Sequence, residues 1–418
     1  MSHLPASLMN SLIDVEGFDK DSFEAVHAAR ESLVSVRFNE KKLNKYLSSD
    51  IEIPSLLPIG ERIPWSTNGY YLTERPSFTF DPLFHAGVYY VQEASSMFLE
   101  EALRQTTDLK KDLRVLDLCA APGGKSTLIQ SLLSSNSLLV SNEVIKSRVS
   151  ILEENMTKWG AANTVVTNND PKDFARLDQF FDLIVVDAPC SGSGLFRRDP
   201  AAIEEWSEEN VELCSQRQQR ILSDCWDSLK DNGVLIYSTC SFSKKEDEDI
   251  LQWLLTDLDA TGIRLTVPPE WNIVESALSS SDAFGYRFWP NKLKGEGFFI
   301  CCVRKQAAKE PARRHTRNRK FELASKAEQA IVAPWLLPGF DAIKQGDSLF
   351  AWPKELNEDL QWLAAQSLYI KQVGVRLGKI AGKDLIPDHA LAMSNILSEQ
   401  VVAISLKYED AIQYLRKE

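Results

Sequence analysis

Between residues 111 and 306 the chain alternates short apolar runs with longer helical patterns, and this alternation leaves few folds open. The runs at 114–119, 138–143, 164–168, 181–187, 233–240 and 298–304 are dense in Val, Ile, Leu and Phe with little polar interruption. Strands buried on both faces read this way, and the segments between them are long enough for crossover helices. An α/β domain built on a parallel sheet is therefore expected. In such sheets ligands bind beyond the carboxyl ends of the strands, so residues just after each run are the first candidates for a site.

The flanks read differently. Residues 1–110 show helical pattern at 4–9 and 21–30 and a short strand at 33–38. A stretch punctuated by Pro and Gly follows, carrying Trp65, Tyr70, Tyr71, Phe78 and Phe80. Residues 307–320 form a basic linker, within a run from 304 to 320 in which Arg304, Lys305, Lys309, Arg313, Arg314, Arg317, Arg319 and Lys320 face only Glu310. Residues 321–418 form a smaller domain whose turn signals do not fix its fold. The net charge of −12 weighs against a polyanionic partner. Local faces matter more than totals, however, and the basic run is either a phosphate-binding stretch or a solvated linker. Phosphate contacts are also expected around Arg37 and Lys41.

No apolar run reaches the ~18–20 residues of a membrane span. The first twenty residues lack the basic and apolar regions of a secretory signal. Seven cysteines are scattered without a CxxC pair, so neither a metal site nor a disulfide framework is expected, and a reducing cytoplasm is the expected location.

The segment RVLDLCAAPGGKST (114–127) reads as strand, Gly-rich turn and helix start. Glycines at such a turn let a ligand approach the backbone, and the helix N-terminus offers free amides. Neither phosphate-binding pattern closes here. A P-loop needs Gly where Cys119 stands, and GxGxxG is absent. Glu143 ends the second run, ~20 residues after the turn, the spacing of an acid that binds ribose hydroxyls. Asp170 follows the third run and Asp187 ends the fourth. Any one of them is an ordinary turn residue; three in succession suit a cationic cofactor with adenine and ribose donors, not a polyphosphate.

Two cysteines complete the pattern. DAPCSGSG (187–194) sets Cys190 after the fourth run, and YSTCSF (237–242) sets Cys240 at the end of the fifth. Isolated cysteines are usually packing residues, as expected of Cys301 and Cys302 inside FFICCV. A cleft pair beside a methyl donor suggests pyrimidine chemistry instead. Carbon 5 of cytosine is too electron-poor to attack a methyl group until a thiolate adds at carbon 6. An acid must then stabilise charge at ring nitrogen 3, a role that suits Asp187, and Lys125 is a source of positive potential for the thiolate. The base must leave its stack to be reached. Spacing does not decide which cysteine attacks.

Together with YVQEASSM (90–97), NEVIKSRV (142–149), RRDPAAIEEWSEEN (197–210) and GEGFFI (295–300), these words resemble the Sun-type RNA cytosine-5 methyltransferases, most closely the bacterial RsmF group acting on 16S ribosomal RNA. The resemblance implies a Rossmann-like S-adenosylmethionine-dependent methyltransferase core (111–306). It also implies an N-terminal RNA-binding subdomain (1–110) and a C-terminal extension with a PUA-like module (321–418). S-adenosyl-L-methionine would lie on Cys119, Ala120, Ala121, Pro122, Gly123, Gly124, Lys125, Glu143, Asp170 and Asp187. Cys240 would be the nucleophile, with Cys190 assisting proton removal or release. The implied partner is 16S rRNA, free or within the 30S subunit, with the protein a cytoplasmic monomer. Lys245, Asn291 and Phe298 depart from the family pattern. Three alternatives stay open: the same chemistry on tRNA or 23S rRNA, a non-catalytic ribosome-assembly factor, and amino-group methylation. The last is disfavoured because Cys190 stands where its motif needs an aromatic ring.

Overall fold

The computed structural model describes residues 4–29, 33–47, 57–278, 282–307 and 321–416. The basic cluster from Lys309 to Lys320 lies outside them. Three sheets are formed. In the first, β1 (Ser35–Phe38), β2 (Ile59–Arg62), β3 (Gly69–Leu72) and β4 (Tyr89–Val91) pair in the order β2-β3-β1-β4. The central sheet begins with β5 (Arg114–Asp117), β6 (Leu138–Asn142), β7 (Thr164–Thr167), β8 (Phe181–Asp187) and β9 (Leu229–Thr239), all mutually parallel. It continues through β10 (Ala260–Gly262), β11 (Val274–Ala277), β12 (Phe284–Phe288) and β13 (Phe298–Lys305).

The third sheet holds β14 (Glu322–Leu323), β15 (Phe340–Gln345), β16 (Ser348–Pro353), β18 (Val375–Ala381) and β19 (Asp384–Pro387). Between β16 and β18 in the chain, β17 (Ile370–Val373) leaves to pair with β7, giving the central order β11-β12-β13-β9-β8-β5-β6-β7-β17, with β10 paired to β13 off this path. The sixth apolar run of the sequence, β13, lies antiparallel to β9. An apolar run reports burial on both faces and says nothing of direction, which explains the difference.

The parallel strands are sealed on both faces. Leu116, Ile184 and Leu235 point towards Ile221, Leu222 and Trp226 of the helix Glu208–Trp226. Val115, Leu183 and Ile236 point the other way, towards Leu128 and Ile129 of the helix Gly124–Leu132 and Leu152 of Lys146–Trp159. Cys301 and Cys302 are fully buried in β13 beside Tyr237 and Ile236, as their apolar setting implied. The C-terminal segment shares this core through Trp352, Leu360 and Leu363, and Arg114 pairs with Asp359 at 2.6 Å.

Arg37 corrects an expectation. It is 2% exposed and points into the molecule instead of towards phosphate. Its Nε donates to Gln92 Oε1 at 2.9 Å, and its Nη2 donates to Thr127 Oγ1 at 2.6 Å and to Gly124 O at 3.3 Å. The guanidinium stacks 4.6 Å from the Trp159 ring, and burial lowers its pKa to about 9. The rigid fork thus bolts the first sheet to the start of the Gly124–Leu132 helix. Lys41 is exposed.

Arg37→Ala should lower unfolding free energy by roughly 2–4 kcal/mol, because buried acceptors lose charged donors. Arg37→Lys should recover only part of it. Urea unfolding checks this: an unchanged midpoint together with weakened RNA affinity would return Arg37 to the surface role.

Candidate active site

Parallel pairing brings Asp187 of β8 opposite Ser238 of β9, so the turns after both strands open at the same edge. Ser238 Oγ donates to Asp187 Oδ1 at 2.9 Å, and Lys125 Nζ lies 2.7 Å from Asp187 Oδ2. Next to it, Asp117 is fully buried at the end of β5 and accepts from Ser126 Oγ at 2.6 Å. Burial raises its pKa to about 7, with Asp187 and Glu143 adding to the effect while Ser126 and Lys125 oppose it. Glu143 is buried; Oε1 accepts from Ile145 N at 2.8 Å, and Oε2 lies 3.6 Å from the Arg148 guanidinium. Asp170 caps the turn it starts, accepting from Lys172 N at 3.2 Å, and pairs with Arg220 at 3.4 Å.

The cysteines meet. Cys190 Sγ and Cys240 Sγ are 3.1 Å apart. The contact with Cys240, and then burial, push the Cys190 thiol well above its ordinary range. Cys119 is pushed up likewise, by burial first and Asp117 next. The two cysteine loops are drawn together by Glu246, which is fully buried. Its Oε1 accepts from Ser191 N at 2.7 Å, and its Oε2 accepts from Ser191 Oγ at 2.5 Å and Ser241 Oγ at 2.6 Å. Gln218 Nε2 adds a fourth donor at 3.3 Å. Burial raises the Glu246 pKa and these donors oppose it. A Cβ at Gly194 would stand 2.7 Å from Cys240 O, so glycine is what lets the first loop close on the second.

A cavity of about 340 Å³ opens at this edge. Of the expected site residues, Cys119, Ala120, Ala121, Pro122, Gly124, Lys125, Asp187 and Cys240 line it, whereas Gly123, Glu143, Asp170 and Cys190 lie outside its wall. Phe298 lines it too, 5.2 Å beneath Lys125 Nζ. Lys245 and Asn291 do not; they pair with Glu212 at 2.8 Å and Ser22 Oγ at 2.7 Å.

The family model described as 16S rRNA methyltransferase RsmB/F matches residues 104–304, and that for the N-terminal domain of 16S rRNA methyltransferase RsmF matches 4–94. Ribosomal RNA small subunit methyltransferase F of Shewanella woodyi is 31% identical over 400 residues, which cover 91% of this chain and 80% of that protein. The chain belongs to the RsmB/F family. The protein of the same name from Aeromonas salmonicida is 33% identical over 73% of this chain, which spans only 64% of that relative's length. Among solved structures, a methyltransferase homolog protein from Pyrococcus horikoshii aligns with a TM-score of 0.54 at 27% identity, over 72% of this chain and all of that one. NSun6 from the same organism, solved with SFG, aligns at 0.58 and 20% identity, over 73% of this chain and 99% of that one, a likeness of fold.

Several residues of this RsmB/F cavity escaped the sequence reading. Gln92 and Glu93 come from the first sheet, and Glu93 Oε1 accepts from Glu296 N at 2.9 Å. Burial raises Glu296 to about 7 against the pull of Arg197. Arg148 reaches Ala121 O at 2.6 Å. Glu246 hides in KKEDED, a run that reads as a solvated charged face.

Glu246→Ala should lose about 2–4 kcal/mol of stability, since four donors lose one buried acceptor. It should also speed the reaction of Cys190 and Cys240 with a thiol reagent. Denaturation and thiol titration at an unchanged rate and midpoint would show that Glu246 does not hold the loops.

Proposed function

We propose that this protein is an S-adenosyl-L-methionine-dependent RNA cytosine-5 methyltransferase that acts on 16S ribosomal RNA, free or within the 30S subunit, as a cytoplasmic monomer. Residues 1–110 and a PUA-like module within 321–418 serve as its RNA-binding flanks, the second following the core through the basic linker 307–320. The observation that carries this function is the cysteine pair: two thiols in contact at the mouth of a methyltransferase-type sheet, with Cys240 alone of the two opening on the cavity.

The site's own charge supports the cofactor. Asp117, Glu143 and Asp187 share one edge; burial raises Asp117 and the other two carboxylates add to it, with Lys125 as a nearby counter-charge. A sulfonium relieves that crowding. The Cys119–Lys125 turn would hold its methionine end, Glu143 Oε2 the ribose and Asp170 the adenine edge. When bound, S-adenosyl-L-methionine supplies an electrophilic methyl group.

The protein's residues do the rest. Cys240 adds through sulfur to carbon 6 of a flipped-out cytosine, while Asp187 stabilises the charge passed to ring nitrogen 3. Carbon 5 is then nucleophilic and takes the methyl group. Cys190 assists removal of the carbon-5 proton, and the electron pair left behind expels Cys240 sulfur from carbon 6. A thiol at Cys190 held well above its ordinary pKa suits a hydrogen-bond donor to a Cys240 thiolate, which favours Cys240 as nucleophile.

Two outcomes are expected. Glu143→Ala and Asp170→Ala should each weaken S-adenosyl-L-methionine binding roughly ten- to hundredfold, from the loss of a charged hydrogen-bond partner. Calorimetry with unchanged affinity in both variants would remove them from the cofactor site. The cysteine variants should separate: Cys240→Ala forms no adduct and transfers no methyl, whereas Cys190→Ala accumulates a covalent protein–RNA species. On a denaturing gel, an adduct from Cys240→Ala alone would exchange the roles, and none from any variant, even with 5-fluorocytosine RNA, would reject covalent catalysis.

A further inference from the structure

Beside the catalytic cavity lies a second one, of about 270 Å³, that the reaction does not use. Phe78, Phe84 and Tyr90 line its walls, and Tyr89 and Trp159 are its buried members. Tyr90 and Val91, at the end of β4, line both cavities, so the two are separated by a single strand end. A third hollow of about 370 Å³ shares Arg75 with the aromatic cavity and Arg198 with the catalytic one. The three form one path around β4.

The aromatic cavity departs from the charge of the chain, whereas the hollow beside it mixes Arg75, Arg197 and Arg198 with Glu93 and Glu296. No Asp or Glu lines the aromatic cavity, although the protein's net charge is −12. Its cations are Arg75, exposed and 5.6 Å from the Phe78 ring, and Lys158, 5.4 Å from the Phe84 ring. Arg75 and Arg198 are exposed and form no ion pair among the described residues. Half-buried ring faces next to an exposed guanidinium group, here Arg75, are the combination that single-stranded nucleic acid requires: rings stack the bases and cations follow the phosphates.

Resting on the RNA substrate proposed above, we infer that the aromatic cavity takes an unpaired base flanking the target cytosine, stacked on Phe78 and Phe84, with the adjoining phosphates on Arg75 and Arg198. A flipped cytosine pulls its neighbours out of their stack, and this cavity offers one of them a new stacking surface while Cys240 engages the target. The first sheet thus reads the strand next to the reacting base.

The test uses the full chain and deproteinised 16S rRNA. Phe78→Leu/Phe84→Leu keeps apolar bulk and removes the ring faces; Arg75→Gln, at an exposed position, leaves the fold intact. The double variant should bind RNA about tenfold more weakly, through a raised KM with kcat at saturating RNA unchanged. Arg75→Gln should lower the log–log salt slope by about 0.7. Cofactor affinity should stay at the wild-type value in both. If the wild type binds and methylates RNA while both variants match it, the subsite is overturned and the proposed function stands. Normal affinity for naked RNA with loss only on 30S particles would make the cavity a protein contact, which also overturns it. A wild type that binds no RNA overturns both.

Discussion

Glu246 is sealed from water between two loops, and much of the site depends on what it accepts there. An ionised carboxylate without partners is too costly to bury, so a fold that buries one must keep its donors in place. Those donors are Ser191 and Ser241, each next to a cysteine, and Gln218 from the helix behind them. Parallel pairing of β8 and β9 sets the two loops side by side, and the carboxylate then fixes their separation. The 3.1 Å contact between Cys190 and Cys240 follows from this arrangement more than from any preference of the thiols.

The opposite edge of the cavity is organised by excess negative charge. Asp117, with one oxygen unsatisfied, and its neighbours Glu143 and Asp187 form a field that Lys125 only partly offsets. Such a field holds a cation well and repels phosphate. The exposed Arg75 lies on the side of the first sheet, whereas Arg198 shares the cavity with Asp187.

The sequence showed the parallel strands because burial on both faces writes a continuous apolar run, and it showed Cys240, Lys125 and Asp187 because they follow such runs. It did not show the direction of β13, nor the short strands β10 to β12, whose apolar content is diluted by polar neighbours. β17 was also hidden, since its pairing with β7 joins Ile370 to Thr167 and Val373 to Val165, far apart in the chain, and no local pattern encodes that. Arg37 was misjudged for a related reason. A basic residue in a half-polar strand reads as surface until a second domain covers it, and the helix that does so begins 87 residues later. Glu246 was invisible because a carboxylate in a charged run looks solvated whether or not a serine loop closes over it.

These misreadings share a physical origin that bears on how the protein is assembled. Arg37, Gln92, Glu93 and β17 each act across a boundary between sheets, and each is polar or short, whereas Glu246 joins two loops of the central sheet. Apolar patterning builds the layers and part of their junctions, through Trp65 and Tyr71 on one side and Trp352 and Leu360 on the other, and a few buried polar groups complete the contacts between them. A cavity formed where layers meet inherits its walls from several of them: the turn after β5, the loops after β8 and β9, and the end of β4. Loosening the first sheet should therefore disturb the cavity even if the central sheet keeps its core, because Gln92 and Glu93 are both wall and joint. The N-terminal sheet thus belongs to the candidate active site as well as the central one does.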